Sequence, residues 1–145
     1  MKPQSKPLIL LLAAMPAVLL IGCGGQGPPT YQAGGKVVFS DGTPLGGGTI
    51  EFRPVRAEKS VTARGTIQPD GTFQLSTFEP DDGAIEGEHL VLISPAPPRR
   101  IGEPVDPRME IDLRYTQFST SGLKCTVSRD VGENRFPILV ERSRK

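Results

Sequence analysis

The stretch GKVVFSDGTPLGGGTIEFRP, residues 35–54, carries the signal that decides the fold. At its start Val37 and Phe39 fall on one face of an extended chain. At its end Ile50 and Phe52 fall on one face, with Thr49, Glu51 and Arg53 on the other. Alternation with period two marks half-buried strands that show one face to a core and one to water. Asp41-Gly42 sits between the two runs, and glycine in that dipeptide accepts the positive φ that tight turns require. The stretch therefore predicts strand, turn, strand.

The same pattern repeats along the chain. GTFQLST (71–77) alternates Phe73 and Leu75 inward, and SVTARGTIQ (60–68), LKCTVS (123–128) and RFPILVE (135–141) supply three further candidates. EHLVLIS (88–94) is continuously apolar from Leu90 to Ile93, which predicts a strand covered on both faces. Asp70-Gly71 repeats the turn signal, and no stretch has helical periodicity. High glycine and proline (17 and 15 residues), no tryptophan and 6% aromatics suit short strands and turns. The expectation is an all-β chain, a single antiparallel β-sandwich of about seven strands over residues 35–141.

N-terminal to this body, Lys2 and Lys6 precede a 14-residue apolar run from Leu8 to Ile21, interrupted by Pro16. The run is short of the roughly 20 residues of a spanning helix and matches the h-region of an export signal. It ends in Leu20-Ile21-Gly22-Cys23, which resembles the lipobox of bacterial lipoproteins. That resemblance implies cleavage between Gly22 and Cys23 and lipidation at Cys23. It divides the chain into a signal peptide (1–22), a Gly/Pro tether (23–34), the sandwich and a basic tail (142–145). An ordinary signal with an incidental cysteine and an uncleaved span are the competing readings. Two or more acyl chains anchor stably, so the implied partner is a membrane, with the protein at the cell envelope facing the periplasm or exterior. From Cys23 onward 15 basic and 16 acidic residues nearly balance, which argues against nucleic acid as a partner.

Four stretches taken together, GKVVFSDGTPLGGGTIEF, GTIQPDGTFQLST, DGAIEGEHLVLI and STSGLKCTV, resemble a known group. They are similar to small exported lipoproteins of planctomycete-type bacteria that carry a carboxypeptidase regulatory-like domain. The resemblance implies a transthyretin-like (prealbumin-type) sandwich and no particular activity. His89 departs from it, standing where that pattern often has tyrosine.

No chemical signature accompanies the fold signal, and no cofactor, metal site or catalytic group is expected. Asp41, Asp70, Asp81 and Asp82 are explained by turn chemistry and lack the D-x-D-x-D-G spacing of a calcium loop. Cys125 alternates with Leu123 and Val127 as a small core residue. Ser119, Ser121 and the lone His89 form no visible nucleophile and base pair. Glu86 and Glu88 read as a solvated face. Lys36 in the first strand and Asn134 before the last raise the alternative of an intramolecular isopeptide bond. The expected role is a non-catalytic structural or protein-interaction part at the envelope. The alternative is a small-ligand or carbohydrate-binding module on the 95–121 loop, through Arg99, Arg100, Arg108, Arg114 and Tyr115, with an envelope protein or glycan as partner.

Overall fold

Alternating burial appears first in the strands that the sequence marked. The computed structural model describes residues 27–56, 61–97, 100–102 and 104–144. The apolar run, Gly22, Cys23 and Arg99 lie outside the described residues. Nine strands form, with no α-helix among the described residues: β1 (Thr30–Tyr31), β2 (Gly34–Phe39), β3 (Gly48–Pro54), β4 (Ala63–Ile67), β5 (Thr72–Gln74), β6 (Ala84–Ile85), β7 (Gly87–Pro95), β8 (Leu123–Val127) and β9 (Arg135–Val140). Short 3₁₀ turns at Pro107–Met109, Leu113–Thr116 and Val131–Glu133 interrupt the last third of the chain. The chain is all-β.

Two sheets carry the fold. One has the order β5-β2-β9 and the other β4-β3-β7-β8, with β1 and β6 pairing separately. Val37 and Phe39 from the first sheet share one cluster with Ile50, Phe52, Val91 and Ile93 from the second. Phe52 is fully buried, its ring 6.1 Å from Phe73 and 5.6 Å from Phe136. Burying a phenylalanine side chain contributes roughly 1.5–3 kcal/mol, so this aromatic group anchors the contact between the sheets.

The seven expected strands are present, and β1 and β6 add two more. All ladders are antiparallel except one: β2 and β9 run parallel, from Gly34↔Arg135 to Phe39↔Val140. The purely antiparallel expectation is corrected at β9. No hairpin joins β2 to β9, so connectivity does not impose opposite directions on them.

The Asp41-Gly42 turn also differs from a simple hairpin. It closes on one bridge, Val38↔Pro44, after which the chain crosses to the other sheet, where β3 pairs with β4 and β7. The strand β7 buries His89, Val91 and Ile93, while Leu90 and Leu92 are half-buried on the outer face rather than fully covered. The turn at Leu113–Thr116 packs against β7, and Arg53 lies 4.0 Å over the Phe118 ring.

Residues 30–34, read in sequence as tether, belong to the folded part. Thr30 and Tyr31 pair with Ile85 and Ala84, and Ala33 is buried. At the other end Arg142, read as the start of a tail, bonds the Pro107 carbonyl and the Asp41 carboxylate and covers the Phe39 ring at 4.0 Å.

Candidate functional site

The outer face of the β5-β2-β9 sheet carries a large concave surface. Register puts Arg135, Gly34 and Gln74 in one row across it, and Pro137, Lys36 and Thr72 in the next. Side chains at directly paired positions share a face, so this surface presents two cations among neutral hydrogen-bonding groups. It continues over the corner where β5 meets β4, because Arg64 and Ser76 exchange two backbone hydrogen bonds at 2.8 Å. Arg64 and Thr66 project outward there, and a groove of about 910 Å³ results.

Gly34 lies buried beneath Gln74 beside this groove. Because it has no side chain, Gln74 reaches across it, and Arg135 Nη1 donates to Gln74 Oε1 at 3.4 Å. A Cβ on Gly34 would stand 1.9 Å from that same oxygen. Arg64 pairs with Glu51 at 3.4 Å, whereas Lys36 and Arg135 form no ion pair among the described residues. Among the described residues Asp81 is the one carboxylate lining the groove. The surface is open, its lining more apolar than polar, and its charged side chains carry an excess of positive charge.

The loop at 95–121 is more tightly engaged than its composition suggests. Asp106 accepts from the Arg108 backbone and guanidinium, and that guanidinium holds its carboxyl below the ordinary range. Arg114 reaches Glu141 at 2.9 Å and donates to Tyr115 Oη at 2.7 Å. Tyr115 is buried, and its oxygen also accepts from the Glu141 backbone, so it pins the loop to the end of β9. Arg100 is exposed. A smaller cavity of about 580 Å³ lies between Gly46-Gly47 and the loop residues Pro97, Pro104, Val105 and Met109.

The remaining candidates have structural partners. Asp41 Oδ1 accepts from Thr43 N and Asp70 Oδ1 from Thr72 N, each closing its own turn; the bonds to Thr43 and then Arg142 bring Asp41 down to about 2. Asp82 accepts from the backbone of Thr77, Phe78 and Glu79. Glu86 pairs with Arg129 and Glu88 with Lys124, both at 2.8 Å. Ser121 is buried and donates to the Val91 carbonyl, while Ser119 is exposed.

Asn134 is fully buried. Its Oδ1 accepts from Ser128 N, and its Nδ2 donates to the Ser128 and Gln32 carbonyls. Lys36 is exposed on the groove face, so the structure does not bring the amine to this amide. His89 is also fully buried, with Nδ1 2.9 Å from the Gly87 carbonyl and Nε2 without a hydrogen-bond partner among the described residues. Desolvation lowers its pKa and keeps the ring neutral. Its cross-strand neighbour Cys125 is half-buried, and burial pushes that thiol up to about 11.

The sequence reading missed the groove, because its residues come from five strands spread over nearly the whole body of the chain. Its traceable signal was the outward half of each alternating run. No family model, no curated protein and no solved structure matches this chain.

Proposed function

We propose that this chain is an exported, lipid-anchored protein of the cell envelope whose folded part is a non-catalytic interaction domain. One observation carries the reading: a charged start, a 14-residue apolar run and Leu20-Ile21-Gly22-Cys23 fall in order. In this reading the two sheets are the faces of a transthyretin-like sandwich, as in the carboxypeptidase regulatory-like domains that the sequence resembles. The shared core of the two sheets supports that architecture.

Two features of the folded part fit the role. Only Gly24–Pro29 separate Cys23 from β1, and six extended residues reach about 20 Å. A lipid on Cys23 therefore holds the domain close to the bilayer. The chemistry of the described residues favours recognition over catalysis. The His89 ring has neither a serine nor a carboxylate as hydrogen-bond partner, which nucleophile activation requires.

The test is to express the full chain and Cys23→Ala in a bacterium fed a labelled fatty acid. The native chain is expected to take up label, lose residues 1–22 and sediment with membranes. The variant is expected to remain unlabelled and uncut after Gly22. Cleavage and membrane retention of the variant would sink the lipoprotein reading.

A second reading, a small-ligand module on the 95–121 loop, is favoured by the cavity of about 580 Å³ beside Val105. Val105→Trp would fill it. Loss of envelope binding by that variant alone selects this reading.

A further inference from the structure

We propose that the groove over β4, β5, β2 and β9 is a binding site for a linear, carboxylate-bearing glycan. The proposal rests on the reading of the domain as an interaction module and is independent of the lipid anchor. Two observations carry it: the arrangement of cations and the character of the groups between them.

Lys36 and Arg135 stand in adjacent rows of one sheet face, on neighbouring strands. Neither forms an ion pair among the described residues, in a domain where Arg64, Arg108, Arg114, Lys124, Arg129 and Arg142 all do. Two exposed cations at one groove, with Asp70 acting on Lys36 without a direct ion pair and Asp81 in the lining, favour a ligand that brings its own negative charge. Arg135 is held by one long hydrogen bond to Gln74, a neutral partner that a carboxylate displaces readily. Arg64, paired with Glu51, lines the groove around the corner.

The groups between the cations specify the rest of the ligand. Thr49, Thr66, Gln68, Thr72, Gln74 and Ser76 are neutral donors and acceptors, suited to the hydroxyls of a sugar chain. No exposed aromatic ring lines the groove: Phe73 is buried and Phe136 is half-buried against the core. Single-stranded nucleic acid is gripped by stacking bases on exposed rings, which this face does not offer. An extended peptide adds as a strand to an open sheet edge, whereas this groove lies over a sheet face. The groove is open to solvent and its lining comes from several strands, which suits a polymer laid across it better than an enclosed small molecule.

The experiment measures binding by the full chain in detergent to polygalacturonate, a linear polymer with one carboxylate per sugar. Dextran and an oligothymidylate serve as neutral and nucleic-acid comparisons. Polygalacturonate is expected to bind, more weakly as salt rises, with dextran and the oligonucleotide at background. Neutralising Lys36→Gln together with Arg135→Gln should lower affinity by about tenfold or more, since each lost charge-assisted contact matters on that scale. Both side chains are exposed, and an unchanged circular dichroism melt confirms an intact fold. Arg144→Gln, which removes an exposed charge outside the groove lining, should bind like the native chain. The proposal is overturned if polygalacturonate fails to bind, if dextran binds equally, if the oligonucleotide binds more tightly, or if the double variant retains full affinity. Failure here leaves Cys23 labelling untouched, so the two readings fail separately.

Discussion

His89 shows what a single buried polar residue does to this chain. Its ring is sealed in the core beside Phe52, with Nδ1 bonded to Gly87 and Nε2 an unpaired acceptor. A buried unsatisfied acceptor costs about 1–3 kcal/mol. Protonating the ring costs more, which is why burial lowers its pKa from 6.5. In the unfolded chain the ring titrates near 6.5; in the folded chain it resists the proton. The unfolded state therefore binds more protons below that value. Stability is complete above pH 6.5 and is lost as pH falls from there toward the lower folded pKa. Urea denaturation at pH 7.5 and 5.5 should show the native chain weaker at the lower pH. His89→Leu should flatten that difference. His89 is the only histidine, so an unflattened profile would remove the ring as its source. The sequence placed His89 inside a strand pattern, but its missing partner depends on which side chains close over it.

At the scale of the element, two identical turn signals have different structural roles. Gly42 and Gly71 both have positive φ, +83° and +84°. A Cβ on Gly42 meets nothing within 4 Å, whereas one on Gly71 would stand 2.5 Å from the Val37 carbonyl oxygen. Gly71 also accepts a 2.9 Å hydrogen bond from Val37 N, fastening the β4–β5 turn onto β2. Gly42→Ala should cost only the left-handed backbone penalty, about 1–2 kcal/mol. Gly71→Ala adds backbone overlap and should cost about 3 kcal/mol or more. Equal denaturation midpoints for the two variants would contradict this assignment. Both turns were legible as Asp-Gly, but nothing local distinguished the free turn from the packed one.

Across the whole molecule, residues distant in sequence hold the ends of the fold together. Arg142 touches the Asp41 turn, the Pro107 carbonyl and the Phe39 ring, joining three separate segments. Arg144 reaches only Glu141, at 4.0 Å on the surface. Thermal or urea unfolding should show Arg142→Ala destabilised by roughly 1–2 kcal/mol, from a cation–π contact and charge-assisted bonds lost together. Arg144→Ala should fall within about 0.5 kcal/mol of the native chain, as exposed ion pairs do. A reversed order would assign the closure to another contact. Composition reads both arginines as one basic tail, because charge alone carries no record of what a side chain covers.

The sequence by itself determined the all-β class, the identity of the seven main strands and the inward residues Val37, Phe39, Ile50, Phe52, Phe73 and Leu75. Alternation fixes which face of a strand is apolar, and burial follows from that face alone. It also supplies the address proposed for the chain, since export signals are read as linear text. Tertiary structure decided the rest. It set β9 parallel to β2, turned the Asp41-Gly42 stretch into a crossing between sheets, and drew residues 30–34 into the fold. It tied Arg108, Arg114 and Tyr115 into the loop and left Lys36 and Arg135 on neighbouring strands with no ion pair among the described residues. Strand pairing and ion pairing join residues tens to a hundred positions apart, and local periodicity contains no term for such distances.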